Sequence, residues 1–241
     1  MRMRITILLA MTAALAYAGP KDRENTIKRL GESTDMLKEM AGASDKGIPK
    51  DLIDRCRCAV IVPGVKKGGF IVAAKYGRGF VSCKKGKRFG APSGVRVEGG
   101  SFGFQIGGSE TDVIMLVMNE KGAERLLSSK FTLGGDASVA AGPLGRETTA
   151  QTDATMRAEI LSWSRSRGVF AGIALNGATL RPDDDAIEDL YGKKLEPKVI
   201  LMGNTASPAA ARPFLAELNK YLPQPPPAAK KAATKKAPAK K

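Results

Sequence analysis

The side chains of this sequence whose types and spacing suggest chemistry are cationic. Lys66 and Lys67 stand together between glycines, and Lys75 and Arg78 flank a second glycine. Apolar, β-branched runs precede and follow the lysine pair, which predicts two buried strands with a glycine-rich turn between them. We therefore interpret residues 59–80 as a strand pair that presents cations at its turns. Such a surface would face an anion.

The absence of histidine restricts the chemistry that is available. It excludes Ser-His-Asp and Cys-His catalysis and histidine-based metal sites. Asp183, Asp184 and Asp185 with Glu188 lack the spacing of a calcium loop and fit helix capping better. We expect a protein that is not an enzyme and has no cofactor or metal. A hydrolase that uses two carboxylates is the third hypothesis, after the two binding functions given below.

A net charge of +15 favours an anionic partner. Anionic lipid, nucleic acid and an acidic protein all fit that charge. Few aromatic residues lie near the basic turns to stack on bases, so we do not expect nucleic acid.

Both ends of the chain look different from the middle. Residues 1–18 combine an early positive charge, a short apolar run and an A-x-A site, which predicts a signal peptide cleaved after Ala18. We therefore expect export to the periplasm or cell envelope. Residues 223–241 are rich in proline, alanine and lysine and predict a disordered tail, which leaves one domain at 19–222.

The three cysteines allow two interpretations. In an oxidising compartment, either Cys56 or Cys58 could pair with Cys83 if their strands are neighbours, leaving one free thiol. Three small, buried core residues are an equal alternative.

The intervening sequence predicts helices and many short strands. Residues 21–40 form an amphipathic helix whose apolar stripe either packs on the domain, the favoured interpretation, or lies on a membrane. Further helices are predicted at 49–55, 119–128, 183–190 and 207–222. Strands are predicted near 58–63, 69–75, 78–84, 94–98, 101–107, 112–118, 154–165 and 169–175. The fold class is therefore α+β, with a bent antiparallel sheet or barrel-like β core and short flanking helices.

Several long motifs occur in a recognisable order. They are A-V-I-V-P-G-V-K-K-G-G-F-I-V-A-A-K-Y-G-R-G, A-P-S, G-F-Q-I-G-G-S-E-T-D-V-I-M-L-V, L-G-G-D-A-S-V-A-A-G-P-L-G-R and S-R-G-V-F-A-G-I-A-L-N-G. This pattern, over about residues 22–195, resembles the SYLF lipid-binding domain family and the related domain of yeast actin-patch SH3 proteins.

The resemblance implies a non-enzymatic domain that binds acidic phospholipid through a basic amphipathic helix and neighbouring cations. The lipid-contact residues expected from the resemblance and from the basic turns are Lys21, Arg23, Lys28, Arg29, Lys66, Lys67, Lys75 and Arg78. We therefore expect peripheral binding to anionic phospholipid at the cell envelope. The alternative is a structural module that docks an envelope protein on the Gly/Ala-rich face at 134–145.

Overall fold

Seven segments of the chain carry the described fold. The computed structural model describes residues 20–42, 47–69, 72–102, 109–128, 130–145, 157–166 and 169–221. The predicted signal peptide, the predicted tail and most of the strand predicted at 101–107 lie outside these residues.

The described residues form ten strands and six α-helices. The strands are β1 (Cys58–Gly69), β2 (Val72–Lys85), β3 (Arg88–Phe89), β4 (Ser93–Phe102), β5 (Ser109–Val117), β6 (Phe131–Thr132), β7 (Val139–Ala141), β8 (Ile160–Ser166), β9 (Val169–Gly172) and β10 (Thr179–Pro182). The helices are α1 (Pro20–Gly42), α2 (Lys50–Arg55), α3 (Glu120–Leu126), α4 (Asp184–Tyr191), α5 (Pro197–Leu201) and α6 (Arg212–Asn219), with a 3₁₀ turn at Ala209–Ala211.

The strands form one strongly curled sheet, a half-barrel. Its order is β6-β10-β4-β2-β1-β5-β8-β7, with β3 paired to β2 and β9 to β8. The β7–β8 pair is parallel and the other pairs are antiparallel. The predicted fold class, α+β with a barrel-like β core, is confirmed. One flanking helix, α1, is longer than predicted because it extends over 23 residues.

Two hydrophobic clusters occupy the two faces of the sheet. Because successive strand residues point to opposite faces, an all-apolar strand covers both. In β1, Ile61 joins a cluster that also contains residues of α1, α2, α4 and α6, whereas Val60 joins the cluster on the other side. We call these the helix face and the opposite face. The apolar run at the end of β5 is buried on both sides, as its composition predicted.

Both predicted basic turns are wrong, because these residues lie inside strands. Pro63 and Gly64 sit in β1, a central strand, where a proline is tolerated only at a bulge. The pairing of β1 shifts register here against both neighbours, and Gly64 takes the left-handed conformation with φ 58°. In β2, a Cβ at Gly77 would lie 2.7 Å from Val65 Cγ2, and one at Gly79 would lie 2.7 Å from Val62 Cα. These glycines permit the close approach of β1 rather than a turn.

Helix α1 packs its apolar stripe on the domain, as the favoured interpretation predicted. Leu30, Met36, Leu37 and Met40 are buried, but Ile27 is 40% exposed. No helix in the described part of the chain is long and apolar enough to cross a bilayer.

Among the other helices, some features match the predictions from the sequence and others do not. Asn119 caps α3 as expected, since its side chain accepts from the Gly122 amide at 2.9 Å. Within the aspartate cluster, Asp183 caps α4, because its side chain accepts from the Ala186 amide. The helix predicted at 207–222 is shorter, and α5 was not predicted.

Cys58 and Cys83 face each other across β1 and β2 and form a disulfide. The pairing left open between Cys56 and Cys58 is thereby decided for Cys58. Cys56 is a buried free thiol, and burial raises its pKa to about 12. Because the thiolate is the reactive form, the folded protein keeps this cysteine unreactive.

Alanine at Gly79 and at Gly31 should have opposite effects. Gly79→Ala places a Cβ against the Ile61 carbonyl, so we expect the free energy of unfolding to fall by about 3 kcal/mol. Gly31 lies in α1 with open space around its Cβ position, so Gly31→Ala should raise that free energy by up to about 1 kcal/mol. Urea denaturation measures both. Equal effects would contradict the close approach of β1 and β2.

Alkylation at pH 8 tests the assignment of the cysteines. The non-reduced, folded protein should take up no iodoacetamide over a time in which the urea-unfolded protein takes up one equivalent, at Cys56. Mass spectrometry counts the adducts. Three adducts on the unfolded, non-reduced protein would contradict the disulfide.

Candidate functional site

The two strand lysines predicted to act together point to opposite faces of the sheet. Lys67 has the same parity in β1 as Val65, whose side chain lies in the opposite-face cluster. Its partner across β2 is Lys75. Lys66 therefore lies on the helix face, where it is exposed and pairs with Tyr76 of β2 and Glu110 of β5. Only Lys66 of this pair shares a face with α1.

The cations of α1 lie in its first half. Before position 30 the helix has two acidic residues and four cations, which are Lys21, Arg23, Lys28 and Arg29. From position 30 onward it has three acidic residues and one lysine. Arg23 and Lys28 are exposed, and Arg29 is half-buried. The backbone of Lys21 belongs to the first turn of α1. The long helix therefore presents its positive charge at one end.

Arg29 and Arg78 are brought together by the fold. Burial and the positive charge of Arg78 lower the pKa of Arg29, partly offset by Asp183. Tyr76 also acts electrostatically on both arginines, and it is 48% exposed. These two predicted residues act on each other electrostatically, although they come from a helix and a strand far apart in sequence.

Arg78 is held by a buried carboxylate. Its Nε and Nη2 donate to Asp183 Oδ2 and Oδ1 at 2.5 and 2.6 Å. Asp183 is fully buried, and these hydrogen bonds raise the pKa of Arg78. Asp185 lies 3.9 Å from Nη2. The pairing fixes the guanidinium in place and neutralises much of its charge.

Two further arginines belong to this group and were missed from the sequence. Arg96 of β4 is the register partner of Arg78, and Arg181 of β10 is the register partner of Arg96. The signal that could have found them is alternation, because Arg96 lies between Val95 and Val97, which point to the opposite face. The register that aligns three separate strands is not visible in the sequence.

An acidic cleft lies beside α4, and one of its lining residues, Asp185, is 3.9 Å from the predicted cation Arg78. It encloses about 340 Å³ and is lined by Asp184, Asp185, Glu188, Lys194, Leu195 and Glu196. In the part of the chain that is described, no group of three or more His, Cys, Asp or Glu residues is arranged to hold a metal ion.

The chain is similar to known proteins over most of its length. The family model Ysc84, described as a Las17-binding protein actin regulator, matches residues 98–221. An SH3 domain-containing protein of Schizosaccharomyces pombe is 36% identical over 73% of this chain and 41% of its own length. Protein YSC84 of Saccharomyces cerevisiae is 32% identical over 71% of this chain and 37% of its own. The human SH3 domain-containing YSC84-like protein 1 is 31% identical over 73% of this chain and 52% of its own. The chain thus spans about two-fifths to half of the length of these relatives.

Replacing Arg78 should cost far more stability than replacing an exposed arginine. Arg78→Ala leaves the Asp183 carboxylate buried without its cation, so we expect the free energy of unfolding to fall by about 3–5 kcal/mol. The control is Arg55→Ala, which breaks an exposed pair with Asp51 at 2.9 Å and should cost less than about 0.5 kcal/mol. Urea denaturation compares them. Similar losses would show that Asp183 does not depend on Arg78.

Proposed function

Because this chain belongs to the Ysc84 family, we propose that it is a non-enzymatic binding module whose target is anionic phospholipid at the cell envelope. Relatives carry names that refer to binding and regulation rather than to catalysis. The predicted signal peptide makes the periplasm the proposed site of action.

The observation that carries this proposal is the surface formed by the first half of α1 and the neighbouring strand residues of the helix face. Lys28 and Lys66 are exposed there, with Ile27 at 40% and Tyr76 at 48% exposure. Lysine or arginine near an anionic bilayer contributes about 1 kcal/mol per residue. Tyrosine suits the interface, because its ring is apolar and its hydroxyl is polar. Exposed cations beside exposed apolar groups are what a peripheral lipid contact requires.

The packing of α1 restricts how such a contact forms. Its apolar stripe is part of the domain core, with Leu30 and Leu37 almost fully buried. Inserting that stripe into a bilayer would require the helix to leave the sheet and expose its core. The proposed contact is therefore made by the outer, charged side of the docked helix, and it depends on ionic strength.

A protein-docking function is the second candidate, and the names of the relatives favour it. One is called LAS seventeen-binding protein 3, from Saccharomyces cerevisiae. The Gly/Ala-rich segment proposed for docking is used partly for internal packing, since Ala137 is buried and a Cβ at Gly142 would overlap the Trp163 ring. Its exposed part, including Leu144, is what a partner could reach.

Vesicle co-sedimentation tests the lipid proposal. The full chain should bind vesicles of phosphatidylglycerol and phosphatidylcholine, bind pure phosphatidylcholine far less, and lose binding as salt rises. Lys28→Glu with Lys66→Glu should weaken binding at least about tenfold. The matched control is Lys130→Glu with Lys198→Glu, which reverses two exposed lysines elsewhere. Binding equally to both vesicles, or equal losses in both double variants, would overturn the proposal.

A further inference from the structure

Three arginines lie side by side on the helix face. Arg78, Arg96 and Arg181 are consecutive register partners across β2, β4 and β10. Directly opposed residues of neighbouring antiparallel strands point to the same face and lie close together. Like charges in such positions repel each other, so the row needs anions nearby.

Arg29 of α1 adds a fourth guanidinium to the row. Thr26 of α1, three residues before Arg29, donates to Asp189 of α4 at 2.7 Å. Helix α4 is capped by Asp183, the carboxylate that binds Arg78. Arg29 therefore comes from the part of α1 that is tied to this corner of the sheet, and burial and the positive charge of Arg78 both lower its pKa. Its Nη1 is buried and has no hydrogen-bond partner among the described residues.

Two carboxylates bind this group closely, and both are already engaged. Asp183 is bound to Arg78 through both of its oxygens. Glu98 is shared, with Oε1 lying 3.1 Å from Arg96 Nε and Oε2 lying 3.3 Å from Arg181 Nη1. Four guanidinium groups thus share two closely bound carboxylates. Asp185 is more distant, at 3.9 Å from Arg78, and Glu32 of α1 acts electrostatically on Arg29.

Three of the four arginines carry a buried N–H that no described residue accepts. These are Arg29 Nη1, Arg96 Nε, which is near Glu98 but not aligned with it, and Arg181 Nε. Buried donors of this kind are normally satisfied by protein, water or a bound ion. The fork of a guanidinium matches the oxygens of a phosphate, and several forks can share one phosphate.

We propose that the arginine cluster formed by Arg29, Arg78, Arg96 and Arg181 is a discrete binding site for a phosphate group. A lipid headgroup and a free phosphorylated molecule both present this chemistry. The inference rests on the proposed function, because it names the group that an anionic lipid would offer to this face. Such a site differs from a diffuse basic surface in the side chains it needs. Recognition by forks requires arginine, whereas charge attraction accepts lysine equally well.

Charge-conserving substitutions separate these two kinds of recognition. The probes are glycerol 3-phosphate in solution, followed by calorimetry, and vesicles that contain phosphatidylglycerol, followed by co-sedimentation. Glycerol 3-phosphate should bind saturably to the full chain with one site. Arg96→Lys with Arg181→Lys should weaken that binding at least tenfold. Arg212→Lys, at an exposed position of α6, should leave it unchanged.

Arg29→Lys provides a second variant in case the strand pair does not fold. This substitution should also weaken the binding of glycerol 3-phosphate, because it removes the buried Nη1 of Arg29. Urea denaturation of each variant confirms that it is folded. Equal affinity of wild type and both lysine variants, or no saturable binding of glycerol 3-phosphate, would overturn the phosphate site.

The vesicle measurement separates the two proposals. Vesicle binding without arginine-dependent binding of glycerol 3-phosphate overturns the phosphate site and leaves the proposed function standing. Arginine-dependent binding of glycerol 3-phosphate without vesicle binding supports the site for a free phosphorylated molecule and overturns the lipid function.

Discussion

The arrangement of the basic side of the domain depends on the ion pair between Arg78 and the fully buried carboxylate of Asp183. This carboxylate binds the Arg78 guanidinium through two hydrogen bonds and accepts the Ala186 amide at the start of α4. Its own amide donates to the Gly94 carbonyl of β4. One residue thus joins β2, β4 and α4. Because an unpaired buried carboxylate is costly, these elements hold one arrangement. Helix α4 passes this constraint to α1, where Thr26 donates to Asp189 at 2.7 Å.

A second network fixes the other half of α1. The bulge of β1 turns the Gly64 amide toward Asp112 Oδ1, 2.8 Å away. Asp112 Oδ2 accepts from Arg165 Nε at 2.7 Å, and Arg165 also binds Glu39 of α1. An acidic residue of the second half of the helix is therefore engaged within the domain, whereas Arg23 and Lys28 of the first half remain exposed. The two networks hold α1 on the sheet at both of its halves, and the basic half keeps Arg23 and Lys28 exposed.

The sequence predicted most elements but not how strands align. The all-apolar runs, the stripe of α1 and the Asn119 cap follow from local rules, and the structure agrees with them. A glycine can mark either a turn or a close approach of two strands, and the sequence around it does not distinguish the two. The prediction of basic turns was wrong for this reason. Because the segment is a strand, Lys66 and Lys67 point to opposite faces of the sheet. Arg96 and Arg181 were missed because neither register is visible in the sequence. Arg96 is aligned with Arg78 by the pairing of β2 with β4, and Arg181 is aligned with Arg96 by the pairing of two strands far apart in the chain.

The corrected strands change what the cations can do. In a turn, Lys66 and Lys67 would reach solvent in any direction and attract any anion. In a strand, only Lys66 joins the helix face. In the proposed contact, exposed lysines there would act through long-range attraction, which salt screens beyond about 10 Å at 0.1 M ionic strength. The arginine cluster is half-buried, and Asp183 and Glu98 fix its geometry. Screening affects buried groups less, and a fixed fork selects the shape of its anion. Attraction and selection can therefore reside in different residues of one face.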